Sequence, residues 1–303
     1  MLIGGTFSDL RDADADPRHR PDIPPHGMYR VLSDGLVDGG FAVLRFDRRG
    51  CGSSTGSRPD RATEIADALA AWTWLAQQES VTDAVGMVGE SAGAYVLCRV
   101  MAAGATPRAV VLQGALHRPI GGLIAFNASR ARAYWERGEA ERAWMWANAR
   151  REYESAVTGA SFVKAIAEGQ QTISVIDERG TFERSLDDLE FDLRHPPAEQ
   201  FRFVRCPCLI IHGVEDLNVP VEDAFETARS LWAAGNRDVE LVILPRADHS
   251  FQRTPGDEDE RLRERMTMES FRRPFHQRYP SVIVEYLVKT LLNTSAAEPG
   301  SRQ

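Results

Sequence analysis

The 303-residue sequence has no run of about 18 apolar residues, so it predicts no membrane-spanning helix. Its first ten residues, MLIGGTFSDL, break at two glycines and then become polar, which is not the pattern of a signal peptide. The four cysteines, Cys51, Cys98, Cys206 and Cys208, are too few and too irregularly spaced for a disulfide scaffold or a zinc site. We therefore expect a cytoplasmic protein.

The sequence also has no excess of positive charge. Lysine and arginine together number 36 against 44 aspartates and glutamates, and the net charge is −8. Nucleic acids and anionic membranes both require a basic face, so we expect neither as a partner, and a small-molecule substrate instead. Hydrophobic residues make up 43% of the chain, which is enough to bury a core.

No pattern in the chain predicts a metal or a cofactor. The triplet Asp12, Asp14 and Asp16 begins like a calcium loop, but Pro17 stands where that loop needs glycine. Neither lysine lies in a phosphate-binding loop of the Walker type. The expected cofactor and the expected metal are therefore none.

Short apolar runs alternate with helical stretches along most of the chain. The predicted strands are FAVLRF (41–46), AVGMVG (84–89), AVVLQGA (109–115), CLIIHG (208–213) and VELVILP (239–245). The predicted helices cover 61–78, 92–103, a stretch near 221–234, and 282–292. Alternation of this kind predicts an α/β fold, with a doubly wound, mostly parallel sheet and helices on its faces.

Residues 116–203 interrupt the alternation. They are rich in Ala, Glu, Arg and Trp and predict helices without a strong strand, as in a cap inserted over the carboxyl edge of the sheet. Within 129–154, six arginines and five glutamates predict a solvated helical face rather than an anion site. The expected domains are an α/β core at 1–115 and 204–292, a helical cap at 116–203 and a disordered tail at 293–303, with 252–280 as a second, charged insertion.

One strand-to-helix turn carries a catalytic pattern. Residues 89–93 read Gly-Glu-Ser-Ala-Gly, a G-x-S-x-G between an apolar strand and an apolar helix. Side chains at 89 and 93 would collide with the neighbouring strand and helix, so small residues are needed there. Ser91 then projects at a helix N-terminus, which favours developing negative charge. The alternative is a glycine-rich turn without a catalytic role.

A serine hydroxyl needs a base to activate it, and the base needs a group that orients it. Asp216 follows the predicted strand 208–213, and His249 follows the predicted strand 239–245. Loops at the carboxyl ends of parallel strands share one rim of the sheet, so these two side chains can converge on Ser91. Glu215 remains an alternative to Asp216.

These residues resemble the α/β-hydrolase superfamily, and within it the capped esterase, lipase and serine-peptidase-like branch. Besides the turn at 89–93, the matching motifs are Gly4-Gly5-Thr6, the segment DRRGCGSS at 47–54, His212-Gly213 with Asp216, Val219-Pro220, and His249.

The resemblance implies a role for each matching position. Ser91 is the nucleophile, His249 takes and returns its proton, and Asp216 holds the imidazole. The backbone N–H groups of Ala92 and Thr6 form the oxyanion hole, with Phe7 as the second candidate.

Four side chains are candidates for substrate contacts. Phe7 adjoins the oxyanion loop, and His117 follows the strand 109–115 as either a pocket residue or a surface residue. Trp135 and Trp144 either pack the cap onto the core or form a wall of the pocket.

The chain departs from the family at its start, where only Met1, Leu2 and Ile3 precede Gly4. The family usually has two antiparallel strands before this point, so the first strands are missing and 41–46 becomes an exposed apolar edge. We expect either coding sequence upstream of Met1 or a partner that covers this edge, such as a second copy of the chain in a homodimer.

The expected function is a serine hydrolase that cleaves a carboxylic ester of a small molecule through an acyl-enzyme intermediate. Peptidase, thioesterase and acyltransferase activities on the same triad remain alternatives, as does a non-catalytic ligand-binding role on the same fold.

Overall fold

The computed structural model describes residues 1–186 and 189–292, so the predicted tail at 293–303 lies outside the described residues. The strands are β1 (Leu2–Ile3), β2 (Gly86–Glu90), β3 (Ala109–Gln113), β4 (Thr172–Asp177), β5 (Gly180–Ser185), β6 (Cys208–Gly213) and β7 (Val239–Leu244). The helices are α1 (Met28–Asp38), α2 (Arg61–Ala76), α3 (Ala92–Ala102), α4 (Ile120–Trp135), α5 (Glu139–Asn148), α6 (Arg150–Glu168), α7 (Glu190–Arg194), α8 (Pro197–Gln200), α9 (Glu222–Ala233), α10 (Glu258–Thr267) and α11 (Ser281–Leu287).

A five-stranded, fully parallel sheet in the order β1-β2-β3-β6-β7 forms the centre of the fold. Its inner strands are continuously apolar because helices cover both faces. Leu112 packs with α2, α3 and α9 on one face, whereas the adjacent Val111 packs with α1 and α11 on the other. The predicted α/β class with a doubly wound sheet is confirmed, and the predicted strand 208–213 matches β6 residue for residue.

The predicted strand at 41–46 is not a strand in the structure. The segment is extended and alternates between the two cores, since Phe41 and Val43 pack on one face and Leu44 and Phe46 on the other. Its neighbour β1 has only two residues, and a single backbone bond joins them, from the N–H of Leu2 to the carbonyl of Leu44 at 3.0 Å. An apolar alternating segment cannot form a ladder where its neighbour offers so few partners.

The segment 116–203 is helical over most of its length, but the expectation that it lacks a strong strand is wrong. Strands β4 and β5 form an antiparallel hairpin with a turn between Asp177 and Gly180. The buried face of the hairpin is apolar only at Ile173, Val175 and Phe182. So few apolar positions give a weak strand pattern, and the surrounding residues favour helices, so the sequence does not predict the hairpin. The terminal helix is also shorter than predicted, because α11 ends at Leu287 and one wider π-helical turn follows it.

The cap and the second insertion share one core. Tyr134, Tyr153 and Phe182 from the cap pack with Leu262 and Met266 from α10. The two insertions therefore pack against each other through a common core. Within the described ranges, no helix combines the length and the apolar character needed to cross a bilayer.

Candidate active site

Ser91 lies at the turn between β2 and α3, with a strained backbone at φ 53° and ψ −120°. A positive φ at a residue other than glycine is uncommon and is held by the surrounding structure. A Cβ atom at Gly93 would lie 2.1 Å from the carbonyl oxygen of Ile3, and one at Gly89 would lie 2.6 Å from that of Gly93. The two glycines are therefore required by the close approach of strand and helix, as the sequence predicts.

Asp216 and His249 lie in direct contact. The Nδ1 of His249 donates to Oδ2 of Asp216 at 2.6 Å, and both side chains are buried. The other carboxylate oxygen, Oδ1, accepts the backbone N–H groups of Asn218 and Val219 at 2.7 and 2.8 Å. These bonds fix the plane of the carboxylate and leave Oδ2 for the imidazole.

The two groups shift each other's pKa toward the charged forms. Burial works against a charged Asp216, but the charge of His249 and its hydrogen bond, together with a bond from His212, keep the pKa of the carboxyl below its ordinary range. Burial likewise works against a charged His249, yet the Asp216 carboxylate, with a smaller contribution from Glu90, raises the imidazole pKa above 6.5. This is the electrostatic arrangement that a general base needs in order to accept a proton.

A second histidine holds the same carboxylate. The Nε2 of His212 lies 3.1 Å from Oδ2 of Asp216 and 2.9 Å from the carbonyl of Val219, while its Nδ1 is buried without a hydrogen-bond partner among the described residues. Since both neighbours of Nε2 are acceptors, this nitrogen carries the proton. His212 therefore positions Asp216, a role beyond that of a residue in a strand-end turn.

Ser91 and His249 line one cavity of about 290 Å³. Across the described ranges, the Ser91 hydroxyl donates to no acceptor, His249 included. His249 lines the cavity together with Glu90, and its Nε2 atom lies 3.7 Å from Oε1 of Glu90. The polar and charged residues around the cavity are Thr6, Ser8, His26, Glu90, Ser91, Asn127, Arg151, Glu152, Ser155, Arg184, Asn218, His249, Ser250 and Arg265.

Hydrogen bonds join the loop predicted to form the oxyanion hole to Glu90, which precedes Ser91 in the turn at 89–93 (the elbow). The N–H of Gly5 donates to Oε2 of Glu90 at 2.7 Å, and the hydroxyl of Ser8 donates to the same oxygen at 3.2 Å. Thr6 follows on this loop and lines the cavity, and Ala92 opens α3 beside Ser91. Neither the Thr6 N–H nor the Ala92 N–H has an acceptor in the part of the chain that the structure describes.

Of the four candidates for substrate contacts, the structure brings only Phe7 to the cavity. Trp135 stacks between Arg132 and Arg142, and Trp144 packs edge-on against Tyr134 within the cap core. His117 is turned away toward α9, where its Nε2 contacts the Ser230 hydroxyl at 2.8 Å. The aromatic residues of the cap thus pack the cap onto α10 rather than line this cavity.

The expectation of a solvated charged face at 129–154 is wrong for the residues nearest the site. Glu152 is 6% exposed and pairs with Arg130 at 3.3 Å, while Arg265 from α10 approaches it at 3.9 Å. Counts of arginine and glutamate along a helix do not show which turn of the helix faces inward. Composition likewise does not show that Arg184, on strand β5, lines the cavity.

Among the described residues, one cluster has the spacing of metal ligands. Ligand atoms of Asp16, His19 and Cys51 lie within 4.8 Å of one another. Asp16 already binds the guanidinium of Arg18 at 2.5 Å and accepts the N–H of Gly52 at 2.9 Å. Its charge is therefore neutralised by arginine, and the cluster gives no ground for a metal.

Comparison with known proteins places the chain in a family. The sequence model of the X-Pro dipeptidyl-peptidase family (S15 family) matches residues 6–250. Protein ABHD12B of Homo sapiens is 28% identical over 222 residues, which cover 72% of this chain and 49% of the human protein. The chain thus spans about half the length of this curated relative.

Solved structures share the fold at low identity. An esterase of Pyrococcus furiosus superposes with a TM-score of 0.52 and 19% identity, covering 96% of this chain and 79% of that one. Est1E from Butyrivibrio proteoclasticus, solved with ferulic acid bound, gives a TM-score of 0.55 and 15% identity over 98% of this chain and 88% of that one. At such identities the similarity concerns the fold alone.

Proposed function

Since the chain belongs to the X-Pro dipeptidyl-peptidase (S15) family, among the esterases, lipases and peptidases of the α/β-hydrolase superfamily, we propose that it is a serine hydrolase that cleaves carboxylic esters. The observation that carries this proposal is the hydrogen bond between Asp216 and His249, because His249 lines the same cavity as Ser91. The cavity volume of about 290 Å³ lies at the small end of ligand sites, which favours a small-molecule ester.

The proposed reaction begins when the Ser91 oxygen attacks the ester carbonyl and His249 Nε2 takes the hydroxyl proton. The oxyanion that forms accepts hydrogen bonds from the N–H groups of Thr6 and Ala92. His249 then returns the proton to the leaving alcohol, and the C–O bond of the ester breaks to leave an acyl group on Ser91. Water, deprotonated by His249, attacks this acyl group. The bond between the Ser91 oxygen and the acyl carbon then breaks, His249 returns its proton to the Ser91 oxygen, and the carboxylic acid leaves.

Peptidase activity is the second candidate, and the family model favours it. The same steps cleave an amide when the leaving group is an amine rather than an alcohol. The two activities differ in substrate preference, so the decision requires a substrate panel and cannot be made from the triad.

The test has two parts. A fluorophosphonate probe should label the protein stoichiometrically at Ser91, and labelling should vanish in Ser91→Ala but persist in Ser129→Ala, a matched change on the exposed side of α4. Hydrolysis of p-nitrophenyl esters is then compared with that of Xaa-Pro 4-nitroanilides. Faster ester turnover supports the proposal, and faster anilide turnover favours the peptidase. A folded protein that is not labelled would indicate a binding role without catalysis.

A further inference from the structure

The cavity around Ser91 has more positive charge than its carboxylates balance. Three arginines line it, Arg151, Arg184 and Arg265, against two glutamates, Glu90 and Glu152. This excess occurs in a chain whose overall net charge is −8. A local cationic site in an acidic protein indicates a ligand of opposite charge, because the protein as a whole repels anions.

Both glutamates are already occupied by partners. Glu90 accepts from the Gly5 N–H and the Ser8 hydroxyl, and its second oxygen faces His249. Glu152 is shared between Arg130 and Arg265, so one carboxylate serves two guanidinium groups.

Arg130 and Arg265 are largely buried, and the one carboxylate of Glu152 that they share does not offset the cost of burying both charges. Burial lowers the pKa of Arg130, and it lowers the pKa of Arg265 to about 10. The Nε and Nη1 atoms of Arg130 are also buried without a hydrogen-bond partner among the described residues. Of the two, Arg265 lines the cavity, so an anion bound there would lower the cost of its buried charge.

Arg151 and Arg184 have no ion pair within the described ranges. Arg151 lies over the ring of Phe7 at 5.1 Å, and Arg20 lies over the same ring at 4.9 Å, so the aromatic ring stacks with both guanidinium groups. Along α6, Arg151, Ser155 and Phe162 form one stripe with helical spacing that faces the cavity and its extension. Arg151 therefore points into the site.

Arg184 lies on the inner face of the hairpin. Side chains alternate along β5, so Arg184 projects to the same side as Phe182, which packs into the cap core. Arg184 also borders a second space of about 190 Å³ between α4 and α6, lined by Leu123, Ile124 and Phe162. The two spaces share Leu123, Asn127, Ser155 and Arg184, so a charged group and an apolar group of one ligand can be bound side by side.

We propose that the substrate of this site is an ester that carries a carboxylate or phosphate group, which Arg151 and Arg184 bind while the ester carbonyl lies at Ser91. This inference rests on the proposed hydrolase function. Guanidinium groups match the planar carboxylate and the phosphate through paired hydrogen bonds. A substrate with a free N-terminal ammonium group, such as a dipeptidyl-peptidase acts on, would bring positive charge to a cavity already rich in it.

The experiment compares esters that differ in charge. Monoethyl adipate carries a carboxylate, ethyl hexanoate is its neutral analogue, ethyl 6-aminohexanoate carries an ammonium group, and 2-butanoyloxyethyl phosphate carries a phosphate. We expect kcat/KM for the carboxylate or phosphate ester to exceed that for the neutral ester about tenfold or more, and the ammonium ester to be the poorest. A higher value for one of the two anions identifies which anion the site takes. Added salt should reduce the preference because it screens the charges.

Variants locate the effect. Arg151→Gln and Arg184→Gln should each reduce the anionic-to-neutral ratio of kcat/KM about tenfold, while Arg184→Lys retains part of it. Arg229→Gln removes the same charge from an exposed position on α9 and should leave the ratio unchanged. A wild-type ratio near one, or a ratio that neither cavity variant changes, overturns the proposal.

A binding measurement separates this inference from the hydrolase function. Calorimetric titration of Ser91→Ala with adipate needs no turnover. Binding that Arg184→Gln weakens and Arg229→Gln does not supports the anion site, even if fluorophosphonate labelling fails. If the protein is labelled and hydrolyses esters but neither binds adipate nor prefers anionic esters, the hydrolase function is retained and the anion site is rejected.

Discussion

Replacing Asp216 with asparagine tests the proposed triad most directly. In the native protein Oδ1 of Asp216 accepts two backbone N–H groups, from Asn218 and Val219. The amide oxygen of an asparagine must take this position, because an NH₂ group there would face two donors. The NH₂ group then takes the place of Oδ2, where it faces the Nδ1 of His249 and the single N–H of His212, one donor fewer than at the Oδ1 position.

This exchange reverses the hydrogen bond to the base. With an NH₂ donor at its Nδ1, His249 must carry its proton on Nε2, and Nε2 can then no longer accept the proton of Ser91. The imidazolium also loses the carboxylate that raises its pKa against the effect of burial. We expect the fold to persist and kcat to fall about 10³- to 10⁴-fold, the size of effect that a wrong histidine tautomer produces.

The assay is steady-state hydrolysis of p-nitrophenyl acetate, with circular dichroism and thermal unfolding to establish that the variant is folded. Glu215→Gln is the matched control. The neighbouring Glu215 accepts a hydrogen bond from Thr254 and lies 3.6 Å from Arg261, away from the imidazole, so its variant should retain turnover. Near-normal kcat in Asp216→Asn, or a large loss in Glu215→Gln, would refute the assignment of Asp216.

Three further predictions concern the same rim of the sheet. Since His249 is active as a base only when neutral and its pKa is raised above 6.5, kcat/KM should rise with pH through a midpoint above 6.5; a flat profile between pH 5 and 9 contradicts this. Glu90→Ala should reduce kcat about 10²- to 10³-fold, because the Gly5 N–H loses its acceptor and the oxyanion loop loosens; unchanged kcat in folded protein rejects this role. Burial raises the pKa of Asp248 from 3.8 to about 7, so the folded protein holds this carboxyl in its protonated form. Between about pH 4 and pH 7 the unfolded chain ionises Asp248 and the folded protein does not, so the free energy of unfolding falls as pH rises. Asp248→Asn should therefore stabilise the protein, by an amount that grows from about pH 4 to pH 7 and reaches at most about 4 kcal/mol above that, measured by urea unfolding; an equal or lower free energy of unfolding at pH 8 argues against it.

The elements that depend on local patterns could be predicted from the sequence. Strand β6 is a buried parallel strand with helices on both sides, so its apolar run is continuous and its ends are sharp. The elbow at Ser91 could be predicted because steric contact leaves only glycine at positions 89 and 93. Both signals are properties of a few consecutive residues.

The elements that depend on distant partners could not be predicted. The segment 41–46 has the composition of a strand, but whether it forms one depends on how much of β1 lies beside it. The inward direction of Arg151 and Arg184 depends on the packing of α6 and the hairpin over the sheet. A charge count along the sequence gives the same value whether these side chains face water or a cavity.

Asn218 links the loop that carries Asp216 to the segment 116–203 and to α10, which bears on how substrate selection relates to the proposed catalysis. The backbone N–H of Asn218 donates to Asp216, its carbonyl accepts from Asn127 on α4 at 3.0 Å, and its side-chain oxygen accepts from Arg265 on α10. Arg265 in turn approaches Glu152. A ligand that changes the charge balance around Arg265 therefore acts on the same hydrogen-bond network that holds the Asp216 carboxylate. Arg265 and Glu152, near the proposed anion site, and Asn218 and Asp216, beside the proposed base, thus belong to a single network. We therefore expect anion binding to affect the orientation of His249, and changes at Asp216 to affect anion binding.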